Sequence, residues 1–141
     1  MQHFLVLCVG AMLWVSPSLA DDRQVLELTT EQRGRLVTQM NGFLEAIQDI
    51  VLGIAEDDME AVREAADACG MRHGHEPGQR GTGVGRVAPP EFRQMGRGMH
   101  LAFDELAQAS EFGPQVVLEE LGVLMSNCMG CHASFRVMDK P

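Results

Sequence analysis

Positive charge is scarce in this sequence. Its 141 residues hold 11 Lys and Arg against 20 Asp and Glu, a formal net charge of −9. That balance argues against nucleic acid or an anionic membrane as a partner and favours a basic or neutral one. Long apolar runs are scarce too. The one such run, residues 3–15, falls short of the roughly 20 residues that a bilayer span needs. Long alternating runs of β-branched residues are absent, so no sheet domain competes with a helical reading. The glycines between 70 and 90 never complete a G-x-x-x-x-G-K-[ST] phosphate loop. No nucleophile–base pair can be picked out, and the chain is not expected to be an enzyme.

The apolar N-terminal run is followed by Ser16-Pro17-Ser18-Leu19-Ala20, which puts small residues at −3 and −1 of a cut between Ala20 and Asp21. Residues 1–20 therefore read as a secretory signal peptide, cleaved after Ala20. An uncleaved anchor is the alternative, because the segment before the apolar run has no Lys or Arg. Cys8 and Trp14 belong to this leader and carry no functional reading. Residues 21–141 form one domain.

Within that domain the apolar residues recur at helical spacing. Leu36, Met40, Phe43, Ile47, Ile50 and Ile54 follow steps of 4, 3, 4, 3 and 4, with Val37, Leu44 and Val51 beside them at seven-residue steps. A first helix is predicted over about 31–55, opened by Thr29 or Thr30. Glu56-Asp57-Asp58 breaks it. Met59, Val62, Ala66 and Cys69 predict a short second helix over about 57–69, stopped by Gly70. Residues 70–90 are rich in Gly and Arg, carry His73 and His75, and read as a long loop. Pro90 suits the first turn of a third helix over about 91–110, with Phe92, Met95, Met99, Phe103 and Leu106 on its stripe. After Gly113-Pro114, the residues Val117, Leu121, Leu124, Cys128, Cys131 and Phe135 predict a fourth helix over about 114–137, with Leu118, Met125 and His132 on an adjoining inward stripe. Four amphipathic helices with short links predict an all-α antiparallel four-helix bundle.

One stretch of that last helix carries chemistry. Cys128-Met129-Gly130-Cys131-His132 reads C-x-x-C-H, the attachment signature of a c-type haem. Two thiols add to the two vinyl groups on one porphyrin edge, and two intervening residues let one helical turn span that edge. His132 then offers an imidazole as proximal axial ligand of the iron. A bare C-x-x-C is shared with redox dithiols and half zinc sites; the adjoining His narrows it. A covalent haem and an export signal agree on a periplasmic location.

A C-terminal C-x-x-C-H followed by x-x-Phe135-Arg136, preceded by Leu121-Gly122 and placed on the last of four helices, resembles the class II c-type cytochromes, the cytochrome c′ family. The likeness spans about 31–137. It implies one covalent haem c held by Cys128 and Cys131, with His132 as proximal ligand. It also implies an Arg early in the first helix that approaches a haem propionate. Arg33 fits that place, although an Arg in a first turn can equally snorkel to solvent. The family's distal residue usually follows four positions after that Arg: apolar or aromatic in high-spin members, Met in low-spin ones. Counting from Arg33 gives Val37, which cannot ligate iron; counting from Arg35 gives Gln39, which lies off the stripe. Met40 lies on the core stripe, about 4.5 Å further along the axis than Val37. The distal site is thus expected to be open or weakly occupied, lined by Val37 and Met40, with Met40 as the competing ligand.

Other candidate donors have simpler readings. His73 and His75 read as solvated loop residues, His100 as a surface or half-buried side chain, Met95 and Met99 as core. Cys69 reads as a small buried hydrophobe, against an intermolecular disulfide. The expected function is electron transfer to a redox partner protein. The second reading is a five-coordinate haem that takes up a diatomic gas such as nitric oxide or carbon monoxide. Self-association into a homodimer through the first two helices is common in the family, and Gly42 and Gly53 would permit close helix approach.

Overall fold

The computed structural model describes residues 21–71 and 83–140. The expected leader 1–20 and most of the Gly-rich loop, with His73 and His75, lie outside the described residues. Element order is β1 (Gln24–Leu28), α1 (Thr30–Ala55), α2 (Met59–Asp67), α3 (Pro90–Ala109), α4 (Pro114–Ser134) and β2 (Phe135–Asp139), with single 3-10 turns at Val84–Arg86 and Ser110–Phe112. The chain is mostly helical. Among the described residues, no helix is long and apolar enough to cross a membrane.

The helix boundaries follow local chemistry. Thr29 caps α1 reciprocally: its hydroxyl accepts from the Gln32 backbone N–H, and its own N–H donates to Gln32 Oε1 at 2.9 Å, which satisfies two otherwise orphaned donors. The acidic run after α1 ends it. Asp57 enters the left-handed region at φ 58°, and the Asp58 carboxylate accepts from Ala61 N–H at 3.0 Å to start α2. Arg63 then bridges Glu60 and Asp67 along α2. Proline occupies the first turn of both α3 and α4, where its missing N–H costs nothing. Gly113, at φ 92°, supplies the backbone reversal that introduces α4.

Two cores hold these elements. The first gathers Ala46 and Ile50 from α1, Val62 and Ala66 from α2, Phe103 and Leu106 from α3, and Val117 and Leu124 from α4. The second lies at one end, where Leu26, Leu28 and Phe135 pack with Val84 and Ala88, joined by Leu36, Phe92 and Cys131. Phe92 and Phe135 meet edge to face, centroids 5.3 Å apart.

Three features depart from the reading of the sequence. First, the fourth helix stops at Ser134, not near 137. Residues Phe135–Asp139 leave it as a strand paired in parallel with β1, in the register Gln24↔Phe135 to Leu28↔Asp139. The competing signal is period-two: Leu26 and Leu28 are buried while Glu27 between them is exposed, so β1 needs a partner edge that a helix cannot offer. Second, the stripe of α4 expected to be inward is exposed, and so is the one that runs beside the core stripe of α1. Val37, Leu44 and Val51 of α1 are 51, 64 and 48 % exposed, and Leu118, Met125 and His132 of α4 are exposed as well. Third, the close approach permitted by Gly53 is internal. A Cβ there would lie 2.8 Å from Val62 Cγ2 and 3.1 Å from the Asp58 carbonyl, so α2 crosses α1 at this glycine.

Two glycines of one helix therefore carry opposite expectations. Gly53→Ala should destabilise the fold by about 1–3 kcal/mol through overpacking. Gly42→Ala meets nothing within 4 Å and should gain roughly 0.5–1 kcal/mol from helix propensity. Urea unfolding of both variants checks the pair; equal effects would remove the assigned role of Gly53.

Candidate functional site

The C-x-x-C-H stretch occupies the last two turns of α4. Its thiols are free, half-buried and serve different cores. Cys128 packs against the first, with Sγ 4.0 Å from Met99 Sδ. Cys131 packs against the second. Burial pushes both thiols above their ordinary range, and for Cys131 the neighbouring Cys128 adds to it. His132, one residue on, is exposed instead of inward. Its ring makes no hydrogen bond among the described residues, and its imidazole is therefore uncommitted. The reason it faces out is rotational: on a helix turning 100° per residue, His132 lies with Leu118, Met125 and Met129, to one side of the line through Leu124 and Cys128 that faces the core.

The residues expected on the opposite side are placed as follows. Arg33 is exposed and paired with Asp139 at 3.4 Å, an ion pair between the first turn of α1 and the end of β2. Val37 is half exposed and carries no donor atom; Met40 is partly buried. Gln39 lies off the core stripe, as expected, 3.4 Å from the His100 ring. The structure thus keeps Arg33, Val37 and Met40 on α1 but leaves Val37 in solvent.

Among the described residues, exposed large apolar side chains are most numerous on the same two helices. On α1 it comprises Val37, Leu44, Val51 and Leu52; on α4 it comprises Leu118, Val123, Met125 and Met129, the last 70 % exposed. Met125 and Met129 thus stand exposed on α4 beside the two cysteines.

The remaining candidates are structural. His100 is half-buried; its Nδ1 lies 2.7 Å from the Cys69 carbonyl and its ring meets Phe43 edge-on. Cys69 packs against the first core, and burial raises its thiol as well. Met99 is core, but Met95 is exposed. The buried Asp104 carboxylate accepts from Met71 N–H at 3.2 Å and fixes the chain as it leaves α2. Among the described residues, no group of three or more His, Cys, Asp and Glu is placed to hold a metal ion.

Arg23 and Asp21 were missed in the sequence. They precede the first apolar stripe, and nothing in the periodicity marks them. Arg23 donates from one terminal nitrogen to the His132 carbonyl at 3.2 Å. Its other donors hold the Asp21 carboxylate in a fork, at 2.8 and 2.7 Å, and Asp21 lies 3.7 Å from Arg136 Nε. The signal available was the alternation of Leu26-Glu27-Leu28, which suggests a strand and says nothing of its partner.

The buried thiols make a pH prediction. A raised thiol is mostly neutral at pH 7, and the thiolate is the nucleophile. In haem-free chain, alkylation of Cys128 and Cys131 by iodoacetamide, resolved by peptide mass, should be slower than for a free cysteine at pH 7 and should keep rising above about pH 8.5. Rapid labelling at neutral pH would contradict the burial described. No family model, curated protein or solved structure matches the chain.

Proposed function

We propose that this chain is an exported, periplasmic monohaem c-type cytochrome of class II type, an antiparallel four-helix bundle that transfers electrons to a redox partner protein. The observation that carries the reading is the C-x-x-C-H on α4, with two free thiols one turn apart and an uncommitted imidazole beside them. The donor set fits a covalently attached haem: Cys128 and Cys131 would hold it, and His132 would supply the proximal nitrogen. The apolar side chains left in solvent on α1 and α4 support the same reading, since a porphyrin needs apolar walls. When bound, the haem supplies one-electron cycling of its iron, and the protein tunes it through ligand, burial and nearby charge. Arg33 would have to exchange Asp139 for a propionate, an affordable change, because an exposed ion pair is worth about 0–1 kcal/mol. The acidic surface suits a partner with a basic face, and association of two copies follows the family pattern.

A second reading is favoured by Val37. It has no donor atom and stands exposed on α1, which suits an open distal position that admits a diatomic gas such as nitric oxide or carbon monoxide. Met40 is the competing ligand.

A reduced-minus-oxidised absorption spectrum of chain exported in a host that attaches haem, with and without carbon monoxide, tests the proposal. Haem absorption that stays with the protein through acid denaturation and solvent extraction is expected, since the thioethers are covalent. A colourless protein would sink it. Met40→Ala separates the two readings: an unchanged high-spin ferrous spectrum excludes Met40 as ligand, whereas collapse from low-spin to high-spin excludes the open site. His132→Ala should leave the haem attached but perturb its axial ligation; a variant with normal ligation would overturn the assignment of His132.

A further inference from the structure

The C-terminal end of α4 has a charged tie that no helix in the bundle contributes. A helix ends with four carbonyls that lack intrahelical donors, and His132 is in that last turn. Its carbonyl is satisfied by Arg23, the residue just before β1 and 109 positions earlier in the chain. Arg23 is itself fixed by its fork on Asp21, whose carboxyl is held down to about 2, first by the hydrogen bond from Arg23. Asp21 stays ionised throughout the ordinary pH range, so the fork persists. Arg136 Nε lies 3.7 Å from the same carboxylate and has no hydrogen-bond partner. Two guanidinium groups and one carboxylate leave a local charge of +1, at the end of a chain whose net charge is −9.

We propose that Arg23 is a positioning residue for the haem ligand: it holds the backbone of His132 and places a cation beside it, and this eases reduction of the bound iron. The proposal rests on the haem reading above. A positive charge near the iron favours the ferrous form, which carries one less positive charge than the ferric. A cation at a helix C-terminus also steadies the last turn against fraying. Both effects come from the same side chain, but they are separable. The hydrogen bond needs a donor at the right place, whereas the potential responds to charge.

The test uses full-length exported chain with haem attached, in four forms: wild type, Arg23→Gln, Arg23→Lys and, as a distant control, Arg63→Gln on α2. Two quantities are measured, the midpoint potential and amide hydrogen exchange at Ser134 and Phe135. Arg23→Gln is expected to lower the potential and to speed exchange at these amides by about fivefold, the size of one lost hydrogen bond to a helix end. Arg23→Lys should restore most of the potential, and Arg63→Gln should leave both readouts unchanged. If the wild type carries haem but Arg23→Gln leaves the potential where it was, the positioning role is refuted and the haem reading stands. If Arg63→Gln lowers the potential equally, the effect is overall charge and the proposal falls. If the wild type carries no haem, the proposal fails together with the reading on which it rests.

Discussion

The packing around Phe103 is the contact on which the rest depends. Its ring is wholly buried in α3 and meets Phe43 of α1 with centroids 5.4 Å apart. Around it the other helices bring small or branched residues: Ala46 and Ile50, Val62 and Ala66, Val117 and Leu124. One large aromatic side chain among alanines and valines allows helices to approach closely while the centre stays filled, as dense interiors require. Gly53 serves the same end at the α1–α2 crossing. The helical core is thus built from a few large side chains set against many small ones, in a chain with no tyrosine and six phenylalanines.

Most of the helical frame was legible in the sequence, because stripes at steps of 3 and 4 continue for many turns and caps have a recognisable chemistry. Thr29, Asp58, Pro90 and Gly113 mark their boundaries nearly to the residue. What was illegible is non-local. A five-residue strand has too few alternations to compete with a helix that runs up to it, and Phe135 continued the spacing of Cys128 and Cys131 by accident of register. Only the pairing with Leu26 and Leu28, more than a hundred residues away, makes residues 135–139 extended.

The site shows the same division. The C-x-x-C-H is local, and its reading needs no fold. Which way His132 faces is a property of the whole helix, and two adjacent apolar stripes cannot both be recognised as inward or outward from periodicity alone. Leu124 and Cys128 turn to the core, while Leu118, Met125 and His132 turn away from it. Val37 shares that fate on α1. Arg33 reads from the sequence either as a partner for a propionate or as a side chain that snorkels to solvent; its partner here is Asp139, supplied by a strand that the periodicity does not show.

The parallel pairing of β1 with β2 has a consequence for how the chain assembles. The contacts of α1 with α2, and of α3 with α4, join neighbours in sequence and close short loops. The register Gln24↔Phe135 closes nearly the whole described chain, and loop-closure entropy makes such a contact slow to form. The helical hairpins can collapse first, leaving the two strands to zip last and draw Arg23 onto the end of α4. Mutations at Leu26 and Phe135 should then speed unfolding and leave the folding rate almost unchanged. Among the described elements β1 comes first in the chain and β2 last, so the pairing that joins them spans every helix between.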